Sequence, residues 1–291
     1  MRTVLLTGAT GFLGAHLAKT LCARGDRVRA LRRGTSDLSR LAGLETTIDW
    51  LDAGDADDAT LAKFLTGVDA VIHAAATYAR HGESLSAIAA TNIVFALRIL
   101  EAATHRQVGL FIHIDSALPP QTNAYSLSKA QFAAWGRFMA ERSQTRFLNL
   151  RVEHMYGPGD DESKFVDRVI NACLCNEPSL ALTAGTQQRD FIHVADVVDA
   201  CLLLLERQPP MAERQAEIGL GSGTAIAVRD LVETIHRLTR STTRLDFGAI
   251  PTQAGEVMYS CADLTPLDRL GWQPRIGIED GLRQTIERKR S

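Results

Sequence analysis

Three glycines at three-residue spacing, Gly8, Gly11 and Gly14, follow the apolar run Val4-Leu5-Leu6 and lead into Phe12-Leu13-Gly14-Ala15-His16-Leu17-Ala18. The order is strand, glycine turn, amphipathic helix, and it constrains the chain more than any other stretch. Gly8 permits a tight turn off the strand, Gly11 lets the backbone approach a pyrophosphate, and Gly14 lets the helix pack close to the sheet. The helix start then offers N–H groups and a positive dipole end to phosphate. Gly8, Thr10, Gly11, Phe12, Leu13 and Gly14 are therefore candidate contacts of a dinucleotide.

At 291 residues, 45% of them hydrophobic, the chain can build one large domain or two small ones. A net charge of −2 argues against nucleic acid or an anionic membrane as the main partner. No uninterrupted apolar run is long enough to predict a transmembrane helix, and the chain enters a strand directly, without a signal-peptide pattern. Cys22, Cys173, Cys175, Cys201 and Cys261 form no C-x-x-C pair and no Cys/His cluster. Cys173 and Cys175, in an expected helix, point about 200° apart at about 100° per residue. No metal site is expected, and a reduced, cytoplasmic enzyme fits this usage.

The first half alternates. Strands are expected at Arg27–Leu31, Thr47–Leu51, Asp69–Ala74, Leu110–Ile114 and Phe147–Val152, and helices at Ala59–Leu65, Ser84–Thr104 and Asn123–Arg142. Such alternation means an α/β fold: a doubly wound parallel sheet with its ligand crevice at the strand C-terminal ends. Past Pro158-Gly159-Asp160 the pattern loosens. Helices are expected at Ser163–Cys175, Ala195–Glu206, Val228–Thr239, Leu264–Leu270 and Ile278–Glu287, and short strands at Leu180–Leu182, Arg189–Ile192, Glu217–Gly219 and Thr243–Phe247. The expected division is a dinucleotide-binding domain at 1–160 plus about 193–212, and a smaller substrate lobe at about 161–192 and 213–291, with Gln208-Pro209-Pro210 as a surface loop.

Tyr125-Ser126-Leu127-Ser128-Lys129 sets a phenol and an ammonium four residues apart, on one helix face. The positive charge favours phenolate and draws the tyrosine toward the working pH. Such a phenol can pass a proton to a carbonyl oxygen as hydride moves. Ser116, after the apolar strand Leu110–Ile114, can hydrogen-bond the same oxygen. Ser116, Tyr125 and Lys129 are the expected catalytic set.

TGATGFLG, Ser116 and YSLSK together resemble the extended short-chain dehydrogenase/reductase family, the NAD(P)-dependent epimerases and dehydratases. RVEHMYGPGD, QQRDFIHVADVV and LGWQPRIGIEDGL resemble its later segments, so the likeness spans nearly the whole chain. It implies a Rossmann fold with a smaller C-terminal substrate lobe, and nucleotide-diphosphate sugars as substrates. IHAAATYARHGESLSAIAATN, FIHIDSALPPQTNAYSLSKAQF and YGPGDDESKFVDRVI resemble the CDP-abequose and CDP-paratose synthases, which reduce a CDP-linked 4-keto-3,6-dideoxyhexose. Sugar 4,6-dehydratases of the family carry Thr-Asp-Glu where this chain has Ser116-Ala117-Leu118, so the acid and base for dehydration are missing.

Within this resemblance the second strand ends in Leu31-Arg32-Arg33, where NAD-specific sites place a carboxylate; two guanidinium groups suit the 2′-phosphate of NADP. Asp52, or its rival Asp55, accepts from the adenine amino group, and Ala74 and Ala75 leave room for ribose and pyrophosphate. Lys129 also bonds the nicotinamide ribose. His154 either passes the nicotinamide or is a core histidine; Asn92 is read as bonding neighbouring backbone. On the substrate side the resemblance implies Tyr78, Arg80 and His81 at the sugar, Leu182 and Thr183 beside the base, and Arg189 at a phosphate unless it pairs with Asp190 or Asp196. Lys164, at a helix start, suits the diphosphate. Gln253 stands where many relatives carry a phosphate-gripping arginine.

The expected activity is NADPH-dependent reduction of a nucleotide-linked 4-keto-deoxysugar. The alternatives are an NAD-dependent sugar epimerase, a non-catalytic NADP(H)-binding regulator, and a reductase of a non-sugar ketone or aldehyde. Relatives dimerise through four helices, which implies a homodimer, with Phe132, Ala133, Trp135, Gly136 and Met139 supplying an apolar face or packing on the sheet.

Overall fold

A computed structural model describes residues 1–290 apart from 55, 79–81, 208–213 and 253–254. The chain divides into two compact units, Met1–Arg151 with Cys201–Ile218, and Val152–Ala200 with Gly219–Ser291.

The first unit is built on β1 (Thr3–Thr7), α1 (Phe12–Ala23), β2 (Arg27–Arg32), β3 (Asp49–Asp52), α2 (Asp58–Phe64), β4 (Ala70–His73), the continuous helix of α3 (Leu85–Ala89), a π-helical turn (Ala90–Phe95) and α4 (Ala96–His105), then β5 (Leu110–Ser116), α5 (Ala124–Ala140) and β6 (Arg146–Val152). The second contains β7 (His154–Tyr156), α6 (Phe165–Leu174), β8 (Ser179–Leu182) and β9 (Gln188–His193). Next, α7 (Val194–Glu206) and β10 (Gln215–Leu220) carry the chain through the first unit. Then β11 (Ala225–Ala227), α8 (Val228–Thr239), β12 (Arg244–Phe247), β13 (Tyr259–Ser260), α9 (Thr265–Asp268) and α10 (Ile278–Arg290) complete the second.

Seven strands form one sheet in the order β10-β6-β5-β4-β1-β2-β3, and β1 pairs in parallel with both β2 and β4. The reversal of strand order beside β1 puts the Gly8 turn and the β4 exit next to each other. Gly8 has φ +71°, and a Cβ there would lie 2.7 Å from the Ala75 nitrogen. At Gly14 a Cβ would run into the Gly8 carbonyl, so helix, turn and strand exit close only around glycine. Buried apolar residues of every layer, among them Leu5, Val71, Ile99, Phe111, Phe132 and Phe147, make a continuous core.

The expected division shifts in two places. The strand expected in the substrate lobe extends over Gln215–Leu220 and pairs with β6, adding a seventh strand to the sheet. Residues 152–160 and 193–200 group with the second unit, because β7 pairs with β9 there. That unit holds a small sheet β11-β9-β13, with β7 also on β9, and a two-stranded β12-β8 sheet; β7, β11 and β13 are too short for a sequence pattern to reveal. Its own core gathers Tyr156, Val169, Ile170, Phe191, Leu231, Ile235 and Leu282.

Among the described residues one helix, Leu85–His105, is long and apolar enough by length and composition to cross a membrane, although no uninterrupted apolar run spans it. Here its Ala96, Ile99, Leu100, Ala102 and Ala103 pack into the sheet's core.

Candidate active site

Two local devices place the expected catalytic residues. β5 runs two residues beyond its apolar stretch, so Ser116 is its last residue; its N–H donates to Asp115 Oδ1 at 2.7 Å, and its Oγ accepts from the Leu118 N–H at 3.2 Å. Asn123 then caps α5: its Oδ1 accepts from the Ser126 N–H at 2.9 Å, while Ser126 Oγ accepts from the Asn123 N–H at 3.2 Å. This reciprocal cap starts the helix at Ala124, so Tyr125 lies in the first turn and Lys129 one turn later.

Lys129 is 2% exposed. Burial pulls its ammonium from the usual 10.5 down to about 8, opposed by the field of Asp115. Asp115, itself buried, is held by Asn149 Nδ2 at 2.8 Å from its Oδ2. His73 and His113 stack with ring centroids 5.7 Å apart, both fully buried. Burial first, and the Lys129 charge second, push both imidazoles well below the usual histidine range, so they stay neutral. Thr7 Oγ1 bonds His73 Nδ1 at 2.8 Å and accepts from the Ala75 N–H at 3.2 Å, tying β1 to the β4 exit. Tyr78 stacks on Tyr125, ring centroids 4.7 Å apart and planes 29° from parallel.

The cofactor residues lie along the same sheet edge. Where a Gly11 side chain would begin, the Gly8 carbonyl oxygen lies at 3.3 Å and no other contact outside its own segment is recorded among the described residues, which leaves room for a phosphate. Thr10, Phe12 and Leu13 belong to this loop and the α1 start, whose first turn presents N–H groups. Ala74 continues β4, its N–H bonded to the Thr7 carbonyl at 3.3 Å. Arg32 lies over the Trp50 ring, 5.4 Å from its centroid, and Arg33 is exposed. Asp52 pairs in register with Arg32 and accepts from the Gly54 N–H at 2.9 Å; Asp55 lies outside the described residues. This set fits a dinucleotide: small residues at the loop, strand exits around it, and cations at the β2 end.

In the second unit His154 opens β7 with 34% of its side chain exposed, 3.6 Å from the Glu153 carboxylate and beside the Phe191 ring. Its Nδ1 is itself buried. Lys164 stands at the α6 start, its ammonium 2.7 Å from the buried Asp160. Arg189 is buried and meets Glu256 at 3.5 Å and the Gln188 carbonyl at 2.9 Å, not Asp190 or Asp196. Asp190 instead binds the Ser222 N–H and hydroxyl at 2.7 and 2.6 Å and the Gly223 and Ala262 N–H groups; Asp196 takes the N–H groups of Arg275 and Ile276. Leu182 is buried at the β8 end, and Thr183 Oγ1 accepts from Gln187 at 3.4 Å. Arg80, His81 and Gln253 lie outside the described residues.

Sequence reasoning missed Asp115 and Asn149. Asp115 was hidden because the apolar run ended at Ile114, and Asn149 lay inside the expected strand Phe147–Val152 with nothing local to mark its partner. Asn92 does bond neighbouring backbone, as read: its Oδ1 accepts from the Thr77 N–H at 2.8 Å and its Nδ2 donates to the Thr77 carbonyl at 2.9 Å.

Comparison with known proteins agrees with this arrangement. The NAD dependent epimerase/dehydratase family matches over residues 4–219. The chain is 29% identical to CDP-abequose synthase of Salmonella muenchen over 295 residues, 99% of this chain and 98% of that one. It is 32% identical to dTDP-4-dehydro-6-deoxy-D-allose reductase of Streptomyces bikiniensis over 252 residues, 74% of this chain and 77% of that one. The structure of MoeE5 in complex with UDP-glucuronic acid and NAD is similar with a TM-score of 0.83 at 27% identity, over 99% of each chain. The glycine turn and the strand order that frames it are thus those of the NAD dependent epimerase/dehydratase family, to which this chain belongs as an NAD(P)-dependent enzyme of the extended short-chain dehydrogenase/reductase type.

Proposed function

We propose that the protein is an NADPH-dependent reductase of a nucleotide-diphosphate-linked 4-keto-deoxysugar of the CDP-3,6-dideoxyhexose type. The observation that carries this reading is the buried Lys129 one helical turn behind Tyr125, with Ser116 ending the strand alongside, in a chain similar over its full length to CDP-abequose synthase. The cofactor supplies the hydride. Tyr125 gives the phenolic proton to the ketone oxygen, Ser116 hydrogen-bonds that oxygen, and the Lys129 ammonium favours the phenolate left behind. Ser116-Ala117-Leu118 offers no acid–base pair for loss of water, which disfavours a dehydratase.

The first unit would hold the cofactor: the glycine loop and α1 start take the pyrophosphate, Ala74 and Ala75 line its path, Asp52 meets the adenine, and Arg32 and Arg33 take the 2′-phosphate. The second would hold the substrate, with Arg189 and Lys164 as phosphate cations; His154 is a further candidate contact of the cofactor. A cytoplasmic location suits the five unpaired cysteines. A homodimer would use α5 and its neighbour through the exposed part of the expected set, since the rest of that set packs on the sheet. Phe132, Ala133 and Gly136 are buried, Gly136 against the Phe147 ring, whereas Leu127, Trp135, Phe138, Leu85 and Val94 are exposed.

An NAD-dependent epimerase is the second reading, favoured by the likeness to an NAD complex. Thermal-shift titration with NAD(H) and NADP(H), alone and with CDP, UDP, GDP or dTDP, separates the two, because a ligand that binds only the folded chain raises its melting point. Stabilisation by NADPH with CDP, and NADPH consumption on a CDP-linked 4-keto-3,6-dideoxyhexose, is the expected result. Purification with tightly bound NAD and no NADPH consumption overturns it.

A further inference from the structure

Tyr78 and Tyr125 come from different elements, the stretch after β4 and the first turn of α5, yet their rings stack at 4.7 Å and 29°. That spacing is within the range where aromatic pairs attract beyond simple burial. Tyr78 is 43% exposed, so its ring is only partly buried.

A second set of contacts joins the two segments. The side chain of Asn92 is almost fully buried and sits in the π-helical turn Ala90–Phe95, a local widening of the helix. It bonds both backbone groups of Thr77, the residue next to Tyr78, as an adjacent strand would. Its Nδ2 also donates to Ser128 Oγ at 2.9 Å, and the Ser128 hydroxyl donates to the Tyr125 carbonyl at 2.7 Å. A flipped amide would set its NH2 against the Thr77 N–H, so only one orientation serves all three contacts. One buried amide thus joins the backbone carrying Tyr78 to the helical turn carrying Tyr125, and the two rings meet at the other end of that link.

We propose that Tyr78 is a positioning residue: held through Asn92, its ring lies against that of Tyr125 and limits the swing of the phenol, leaving the opposite ring face for the substrate. The inference rests on Tyr125 being the proton donor. Limiting the donor's freedom before the reaction raises turnover rather than affinity. It also differs from a sugar contact by Tyr78, which would change KM instead.

The test uses the full chain with NADPH and a CDP-linked 4-keto-3,6-dideoxyhexose, comparing Tyr78→Ala, Tyr78→Phe and Tyr125→Phe. Tyr78→Ala is expected to lower kcat by roughly five- to tenfold with KM and NADPH affinity within about twofold, and Tyr78→Phe to restore most of the loss, since it keeps the ring. A structural readout accompanies it. The chain has four tyrosines, so ring-labelled tyrosine gives a simple NMR spectrum, assigned for residue 125 by Tyr125→Phe. Loss of the Tyr78 ring current should move the Tyr125 signals in Tyr78→Ala and leave those of Tyr156 and Tyr259 in place. Unmoved Tyr125 signals, a change in KM alone, or a Tyr78→Phe variant as impaired as Tyr78→Ala overturns the proposal. If Tyr125→Phe keeps full turnover, the catalytic reading itself falls, and the NMR result still decides whether the stack exists.

Discussion

The two units handle buried charge in opposite ways. In the second, charged groups are answered from within the unit. Asp190 is fully buried and satisfied by donors from two loops, and Asp196 by two backbone N–H groups. In the first, Lys129 is buried beside two neutral imidazoles, and Asp115 acts on it through its field rather than by a hydrogen bond. A carboxylate with all its partners in place stabilises a fold. An ammonium whose charge is opposed by its surroundings is poised for chemistry, and such perturbed groups gather at functional sites. The contrast predicts that changes at Tyr125 and Lys129 affect turnover and that a change at Asp190 affects stability.

The largest effect should come from Tyr125→Phe, which is expected to cost about a thousandfold or more in kcat while NADPH still binds. Its melting temperature should stay within about 2 °C of the parent; a large drop would erase the contrast. Asp190→Ala is expected to cost about 3–4 kcal/mol in urea unfolding, because it strands several buried donors, with little change in the NADPH affinity of the folded chain. Turnover lost without loss of stability would reverse its assignment.

Lys129 sharpens the comparison through pH. Its folded pKa of about 8 lies below the ordinary 10.5, so between these values the unfolded chain binds more protons and stability must rise with pH. Relative to Lys129→Met, the cofactor-free parent should gain up to about 3 kcal/mol across that window, followed by urea titrations at stepped pH. A flat difference would mean that the ammonium is not opposed by its surroundings. In the same window turnover should fall as the ammonium loses its proton. The smallest effect is at the cofactor edge: Arg33→Ala should weaken NADPH about tenfold and leave NADH unchanged by fluorescence titration. Equal loss for both would remove the 2′-phosphate reading.

Much of the fold was legible without coordinates. The glycine spacing at Gly8, Gly11 and Gly14 and the alternation through Val152 depend on local conformation, which short-range periodicity reports directly. The start of α5 was legible too, since Asn123 and Ser126 form a local cap. The partners were not. β10 finds β6 across more than sixty residues, Arg189 meets Glu256 rather than its neighbour Asp190, and α5 turns Phe132 inward while leaving Trp135 exposed. Its sequence is apolar on both sides, so periodicity could not choose between them.

By itself, then, the sequence determined the strand–turn–helix opening, the parallel α/β class and the pairing of Tyr125 with Lys129 on one helix, because each is written within a few adjacent residues. Tertiary structure alone decided that Lys129 is buried and drawn down to about 8, that Asn92 clips Thr77 to Ser128, and that Tyr78 lies on Tyr125. These follow from packing between distant segments, where desolvation and contact depend on what the rest of the chain brings alongside.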